Sequence, residues 1–238
     1  MQNATPKYKR VLLKLSGEAL AAGGDGILNF EFIESIADVL KQCVAQGVQI
    51  GIIVGAGNIW RGRQGGKMNR VRADSMGMLA TTINALALQD TFIQSGLDAK
   101  VMTAVEMQTF ADRYVTREAV KALEKGKIVI FGCGLGSPYF STDTAAVLRA
   151  AEIEADVILM AKNIDGIYNA DPKKDPTATR YEELTYKEMI DQNLKALDLS
   201  AATFCMENDI RGYAFELKDP MNIYRVIMGE HIGTVLHK

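Results

Sequence analysis

Between Lys127 and Ala151 the chain sets an apolar run, Ile128-Val129-Ile130-Phe131, directly before Gly132-Cys133-Gly134-Leu135-Gly136-Ser137-Pro138-Tyr139-Phe140-Ser141-Thr142-Asp143 and then a helical pattern. That order is strand, glycine loop, helix. Alternating glycines let the backbone turn through conformations other residues avoid and let an anion approach the main chain. Ser141 and Thr142 are suited to cap the helix that follows. Its unpaired N–H groups and roughly half a positive charge at its N-terminus favour a phosphate there. Asp143 is at odds with this cradle, because a carboxylate beside a bound anion needs a cation to hold.

The same grammar occurs twice more. Val11-Leu12-Leu13-Lys14-Leu15 reads as a buried strand ending in a tight Ser16-Gly17-Glu18 turn, with Lys14 at the mouth of a sheet. Residues 48–54 form a second apolar strand, followed by Gly55-Ala56-Gly57-Asn58-Ile59-Trp60-Arg61-Gly62. Helices are expected over residues 30–44, 74–95, 116–125, 186–193, 201–208 and 222–228, besides the one opening near Asp143. In the 74–95 helix, Met76, Leu79, Ile83, Leu86 and an alanine-rich face form the packing stripe. Further strands are expected over 100–103, 156–160, 213–217 and 234–236. Strands alternating with helices define an α/β chain with an open, mostly parallel sheet between two helical layers, an α/β/α sandwich. Ligands in such folds collect at the carboxyl ends of strands, where all three glycine loops lie.

Composition narrows the partners. In 238 residues, 27 basic side chains against 29 acidic ones give a formal net charge of −2, so nucleic acid has no claim as main partner. Cys43, Cys133 and Cys205 are few, dispersed and without CxxC or histidine partners, which argues against disulfides and a zinc site. No apolar run approaches the ~20 residues of a membrane span, and the N-terminus lacks the shape of a signal peptide. A soluble, cytoplasmic protein is the expectation.

The chemistry rests on a few positions. There is no G-x-x-x-x-G-K-[ST], and Trp60 stands where a dinucleotide-binding loop needs its third glycine. Lys14 is either a strand-end lysine reaching for solvent or a cation that neutralises charge on a transferring phosphoryl group, and Asp143 either an acid stabilising the first turn of its helix or the group that holds Lys14 in position. The five cations Arg61, Arg63, Lys67, Arg70 and Arg72 have no acid among them. They suit a solvated loop, a phosphate clamp or a nucleic-acid patch, and their place after a strand favours the clamp. Asp74 is either a helix cap or an acceptor for a ribose hydroxyl. Tyr168 and Asp171 belong to a structural turn or flank a base and ribose. Cys133 has no activating neighbour in sequence, which argues against cysteine catalysis. Trp60 reads as a hydrophobic plug or an oligomer contact.

With Lys14-Leu15-Ser16-Gly17-Glu18, Gly57-Asn58, Arg61-Gly62, Met68-Asn69-Arg70, Asp74-Ser75-Met76-Gly77-Met78-Leu79-Ala80-Thr81, Ser141-Thr142-Asp143, Asp165-Gly166 and Ala170-Asp171-Pro172 in hand, the sequence resembles the bacterial UMP kinases of the amino-acid kinase family across nearly its whole length. The resemblance implies one domain over 1–238, with an acceptor lobe to about residue 155 and an ATP lobe over 156–238. It implies transfer of the ATP γ-phosphoryl group to UMP in pyrimidine nucleotide biosynthesis, with Mg²⁺ accompanying ATP and no metal site built from protein ligands. By likeness Lys14, Leu15, Ser16 and Gly17 hold ATP phosphates, and Gly57 and Arg61 contact ATP. Tyr168 and Asp171 meet the adenosine, with Lys162 or Asn163 as the remaining adenine contact. Ala56 and Asp74 lie on UMP, while Leu135, Gly136, Ser137, Pro138, Tyr139, Phe140, Ser141 and Thr142 wrap its phosphate and uracil. Asp143 and Asp198 are the acids that organise the lysine and the metal-bound nucleotide. The family is typically a homohexamer inhibited by UTP. GTP activates those members in which the region of residues 21–26 is longer than here, and Ala56 stands where glycine is common. Phosphorylation of an amino-acid carboxylate, or UTP sensing without catalysis, are the competing functions.

Overall fold

The structure, a computed structural model, describes residues 5–22, 24, 26–61 and 66–238. Gly23 and Asp25 of the 21–26 loop, and Gly62, Arg63 and Gly65 of the basic loop, lie outside the described residues. Among the described residues, nine strands form one sheet: β1 (Arg10–Leu15), β2 (Gln49–Val54), β3 (Ala99–Thr103), β4 (Asp112–Arg113), β5 (Ile128–Gly132), β6 (Val157–Lys162), β7 (Glu183–Thr185), β8 (Gly212–Glu216) and β9 (Thr234–His237). Their spatial order is β4-β3-β5-β2-β1-β6-β8-β9-β7. All neighbours run parallel except β8 and β9. The mostly parallel α/β sheet expected from sequence is present.

Eight helices accompany it among the described residues: α1 (Gly17–Ala21), α2 (Phe30–Ala45), α3 (Arg70–Gln94), α4 (Thr116–Glu124), α5 (Thr142–Glu152), α6 (Tyr186–Asp191), α7 (Leu199–Glu207) and α8 (Met221–Ile227). They split between two cores. Leu13, Leu15 and Ile52 pack with α2, α3 and α8 on one face, whereas Leu12, Ile53 and Phe131 pack with α4 to α7 on the other. Successive residues of a strand point to opposite faces, and covering both faces explains why β1, β2 and β5 are almost uninterrupted apolar runs. No helix is long and apolar enough to cross a membrane among the described residues.

Three expectations are corrected. The Ser16-Gly17 turn is the start of α1, where the Ser16 hydroxyl accepts from the Ala19 N–H at 3.2 Å and caps the helix. The long helix begins at Arg70 instead of 74, capped by Asn69, so Asp74 lies in its second turn and caps nothing. Its packing stripe is corrected in part: the alanine-rich face and Leu86 pack on the core, while the three other residues do not. Met76, Leu79 and Ile83 are 39%, 52% and 49% exposed, and the face on the sheet is Ala73, Ala80, Thr81, Asn84, Ala85, Leu88 and Phe92. Small residues there let α3 lie close to the loops after β2 and β5. The short strands β4 and β7 add to the expected set.

Candidate active site

Lys14 owes its position to strand parity. Val11, Leu13 and Leu15 face the α2/α3 core and Leu12 the α5 core, so Lys14 emerges on the α5 side. There its ammonium lies 3.0 Å from Asp143 Oδ1, with the two side chains 14% and 20% exposed. Asp143 has the cation that its loop demanded. β6 pairs directly with β1, and its Ile158 and Met160 share the Leu12 face. Two residues on, Lys162 points the same way. Burial pushes its pKa below the ordinary lysine value, with Asp143 working against that shift and Lys14 adding to it. Its Nζ also donates to the Ala196 carbonyl. Lys162 therefore joins Lys14 and Asp143 in a charged cluster.

The start of α5 is more fully occupied than sequence suggested. The Ser141 hydroxyl accepts from the Asp143 and Thr144 N–H groups at 2.9 and 3.3 Å, so two of the amides expected to greet a phosphate are already satisfied. Ser141 in turn donates to Asp198, as does the Thr144 hydroxyl, at 3.0 Å from Oδ2. Asp198 also caps α7 through the Ala201 N–H at 2.8 Å. Its side chain acts by tying the N-termini of α5 and α7 together, with no direct bond to Lys14.

The two other loops lock against each other. A Cβ on Gly17 would fall 2.4 Å from Asn58 Oδ1 and 2.7 Å from the Gly57 nitrogen, so only glycine lets α1 start here. Fully buried Asn84 of α3 donates to the Gly55 carbonyl at 2.7 Å and exchanges amide bonds with Asn58. Thr81, one turn earlier, accepts from the Cys133 N–H at 3.0 Å and pins the third loop to the same helix. Cys133 itself is fully buried, its sulfur 3.2 Å from the Thr82 hydroxyl, which leaves no room for a nucleophile's role.

Two cavities flank the charged cluster. The larger, about 760 Å³, is lined by Lys14, Ser16, Lys162, Asn163, Tyr168 and Asp171, together with Glu18 and the 192–196 segment, which sequence reasoning had not singled out. Lys14, Ser16 and Glu18 come from the amino-terminal half, so this cavity is not made by residues 156–238 alone. The Tyr168 hydroxyl donates to Asp165 Oδ1 at 2.9 Å, and that bond raises its pKa. Leu15 is fully buried, so any contact it makes is through its backbone. The smaller cavity, about 130 Å³, is lined by Ala56, Asp74, Leu135, Ser137, Phe140, Ser141 and Thr142 of the expected residues. Ala73, Gly77, Met78, Thr81 and Gly134 complete it; the signal was the Met-Gly-Met-Leu-Ala-Thr run beside Asp74. Gly136, Pro138 and Tyr139 do not line it. Gly136 turns with φ 73° against Ala104, and Tyr139 faces outward.

Acids meet part of the basic loop. Arg61 pairs with Glu18 on the rim of the larger cavity, and Arg70 Nε lies 2.7 Å from Asp74 Oδ2. Asp74 also accepts the Tyr139 N–H at 2.9 Å. Partial burial pushes the Asp74 carboxyl up, but the Tyr139 amide and Arg70 outweigh it and hold the pKa below the ordinary carboxylate value. Trp60 donates its indole N–H to the Ala73 carbonyl at 2.8 Å and braces the loop on α3. Among the described residues no cluster of three or more His, Cys, Asp or Glu side chains is arranged to hold a metal ion.

Known proteins share this fold. The family model described as "Amino acid kinase family" matches residues 9–215. The solved structure of UMP kinase from Bacillus anthracis is 36% identical, with TM-score 0.93, covering 97% of this chain and 96% of its own. UMP kinase from Ureaplasma parvum is also 36% identical, with TM-score 0.91, covering 98% of this chain and 100% of its own. Uridylate kinase from Archaeoglobus fulgidus is 28% identical, with TM-score 0.71, covering 95% and 99%. With its strand order, its paired Lys14 and Asp143 and a family match across most of its length, the chain belongs to the amino acid kinase family.

Proposed function

We propose that this chain is a UMP kinase that transfers the γ-phosphoryl group of MgATP to UMP, giving UDP and ADP. The observation that carries the reading is one charged cluster between two cavities. Lys14 lines the larger cavity, while Ser141 and Thr142, just before its partner Asp143, line the smaller. ATP occupies the larger, with its base near Tyr168 and Asp171 and its phosphates toward Lys14, Lys162, Ser16 and Gly17. UMP occupies the smaller, with Asp74 toward its ribose and the 135–142 loop around phosphate and uracil. The acceptor and donor portions divide near residue 155, apart from the Lys14 strand, which serves both.

The chemistry needs little beyond placement and charge. A UMP phosphate oxygen bonds to Pγ as the Pγ–O bond to ADP breaks, and the acceptor is already a dianion near neutral pH, so no general base is required. That fits a carboxylate at Asp143 committed to Lys14. Lys14 and Lys162 offset the negative charge on the oxygens in flight. Asp198 keeps the start of α5, and so Asp143, in register. Mg²⁺ enters with ATP as part of the substrate.

Self-association into a homohexamer is supported by the Met76, Leu79 and Ile83 stripe of α3, exposed at helical spacing. Ile83→Asp should shift sizing-column mass toward monomer, and an unchanged mass removes α3 from the interface. UTP shares the uridine of the acceptor and inhibits by competing for it. Three buried free thiols agree with a cytoplasmic setting. A coupled ADP-release assay with UMP, CMP and carboxylate acceptors tests the reading. Turnover with UMP well above CMP is expected, and turnover with aspartate or glutamate derivatives but none with UMP overturns it.

A further inference from the structure

Arg70 is the first residue of α3, an unfavourable place for a cation because the helix N-terminus already carries positive charge. Its partner Asp74 lies four residues later, and cation before anion is the weaker order for a helical pair. Helix stability therefore does not account for the pair. Its neighbours do. Arg70 Nε bonds Asp74 Oδ2 at 2.7 Å, and its guanidinium sits 5.4 Å from the centre of the Tyr139 ring. Tyr139 donates its N–H to the same Asp74 oxygen at 2.9 Å and holds φ at 72°, a left-handed conformation that costs an aromatic residue energy. Asp74 lines the acceptor cavity; Arg70 and Tyr139, both exposed, bond to it without lining the cavity themselves.

We propose that Arg70 is a positioning residue for the acceptor nucleotide: it fixes the Asp74 carboxylate and, through the Tyr139 ring, the strained turn of the 133–141 loop over the acceptor site. The assignment rests on the smaller cavity binding UMP. With Oδ2 held by Arg70 and the Tyr139 amide, Asp74 presents Oδ1 to the ligand in one orientation. Thr81 pins the Cys133 end of the loop to α3 and this carboxylate oxygen holds its Tyr139 end, so loosening it disturbs both walls of the cavity together. Arg70 touches no reacting atom, so its loss should appear in acceptor binding and leave the chemical step nearly intact.

The test measures kcat and KM for both substrates in wild type, Arg70→Gln, Arg70→Lys, Asp74→Asn and the Arg70→Gln/Asp74→Asn double variant, with thermal unfolding alongside. Arg70→Gln should raise KM for UMP about tenfold, as expected for losing a partly exposed charge-assisted bond, with kcat within about threefold and KM for ATP unchanged. Arg70→Lys keeps a cation near Asp74 and should recover part of the loss. In the Asp74→Asn background, Arg70→Gln should add less than about twofold, because both act through one carboxylate. Wild-type turnover of UMP is measured first: its absence overturns the proposed function and this assignment with it. In a UMP-active protein, an Arg70→Gln KM within twofold of wild type overturns the assignment alone. So do effects that multiply fully with Asp74→Asn, or loss of the fold, since a cavity-rim side chain has no part in the core.

Discussion

Replacing Lys14 by alanine probes the centre of the site. Two losses follow from its geometry. The transferring phosphoryl group loses a cation, and losing one such preorganised group costs about 10²–10³ in turnover, or roughly 3–4 kcal/mol. Asp143, 20% exposed and 3.0 Å from the missing ammonium, is left as an uncompensated carboxylate facing nucleotide phosphates. A unit charge at about 4 Å in a partly shielded site interacts by about 4 kcal/mol, so MgATP binding weakens as well. Lys162 remains in the charged cluster, so MgATP binding should stay measurable. Turnover in Lys14→Ala should fall on the order of 10³-fold, about 4 kcal/mol. Adding Asp143→Asn should restore MgATP affinity without restoring turnover, because it removes the stray charge and supplies no cation. Coupled ADP release measures turnover, calorimetric titration measures binding, and thermal unfolding confirms the fold. A folded Lys14→Ala protein that keeps more than a tenth of wild-type turnover refutes the role of Lys14; failure of Asp143→Asn to improve MgATP affinity refutes the pairing.

Because burial lowers the Lys162 pKa, this lysine sheds its proton at lower pH than a free one, and kcat/KM for ATP should fall with rising pH before the ordinary lysine range. Lys162→Arg should move that limb upward, and an identical limb in the variant excludes Lys162 as its source. Asp198→Ala removes the α7 cap and strands the Ser141 and Thr144 hydroxyls, so it should cost about 1–2 kcal/mol in urea unfolding. Asp198→Asn should keep much of that stability, and equal midpoints for wild type and Asp198→Ala would show the joint to be idle. Gly17→Ala would set a methyl against the Asn58 and Gly57 atoms and force the first two loops apart, destabilising by about 1–3 kcal/mol with activity lost first. An alanine variant with full activity would disprove that contact.

Local pattern carried the α/β architecture because buried parallel strands are nearly pure apolar runs and the loops after β1, β2 and β5 are rich in glycine. The sequence also carried the Asp143 problem and its answer in Lys14, since the physical demand for a cation is independent of knowing which strands touch. Lys162 was legible only in part. Its face follows from period-two alternation along β6, but its nearness to Lys14 depends on β6 pairing with β1, which no local signal encodes. α3 misled for a related reason: Met76, Leu79 and Ile83 point outward, and the first half of its buried face is made of alanine, threonine and Asn84, with Leu88 and Phe92 following only toward its end. Hydrophobic periodicity finds an apolar face without saying whether the chain's own sheet covers it. Asp198 drew notice by resemblance alone, because its bonds to Ser141, Thr144 and the Ala201 amide join the starts of two helices that lie far apart in sequence. β4 and β7, with two and three residues, are too short to show any period.

Direct transfer between two adjoining cavities is tested most plainly by a single turnover with γ-labelled ATP, enzyme in excess and UMP present, quenched in acid and separated. The label should pass from ATP into UDP with no labelled protein at any time and no release as inorganic phosphate. Label held on the protein, or released as phosphate while UMP stays unchanged, would contradict placing the two nucleotides on either side of Lys14 and Asp143.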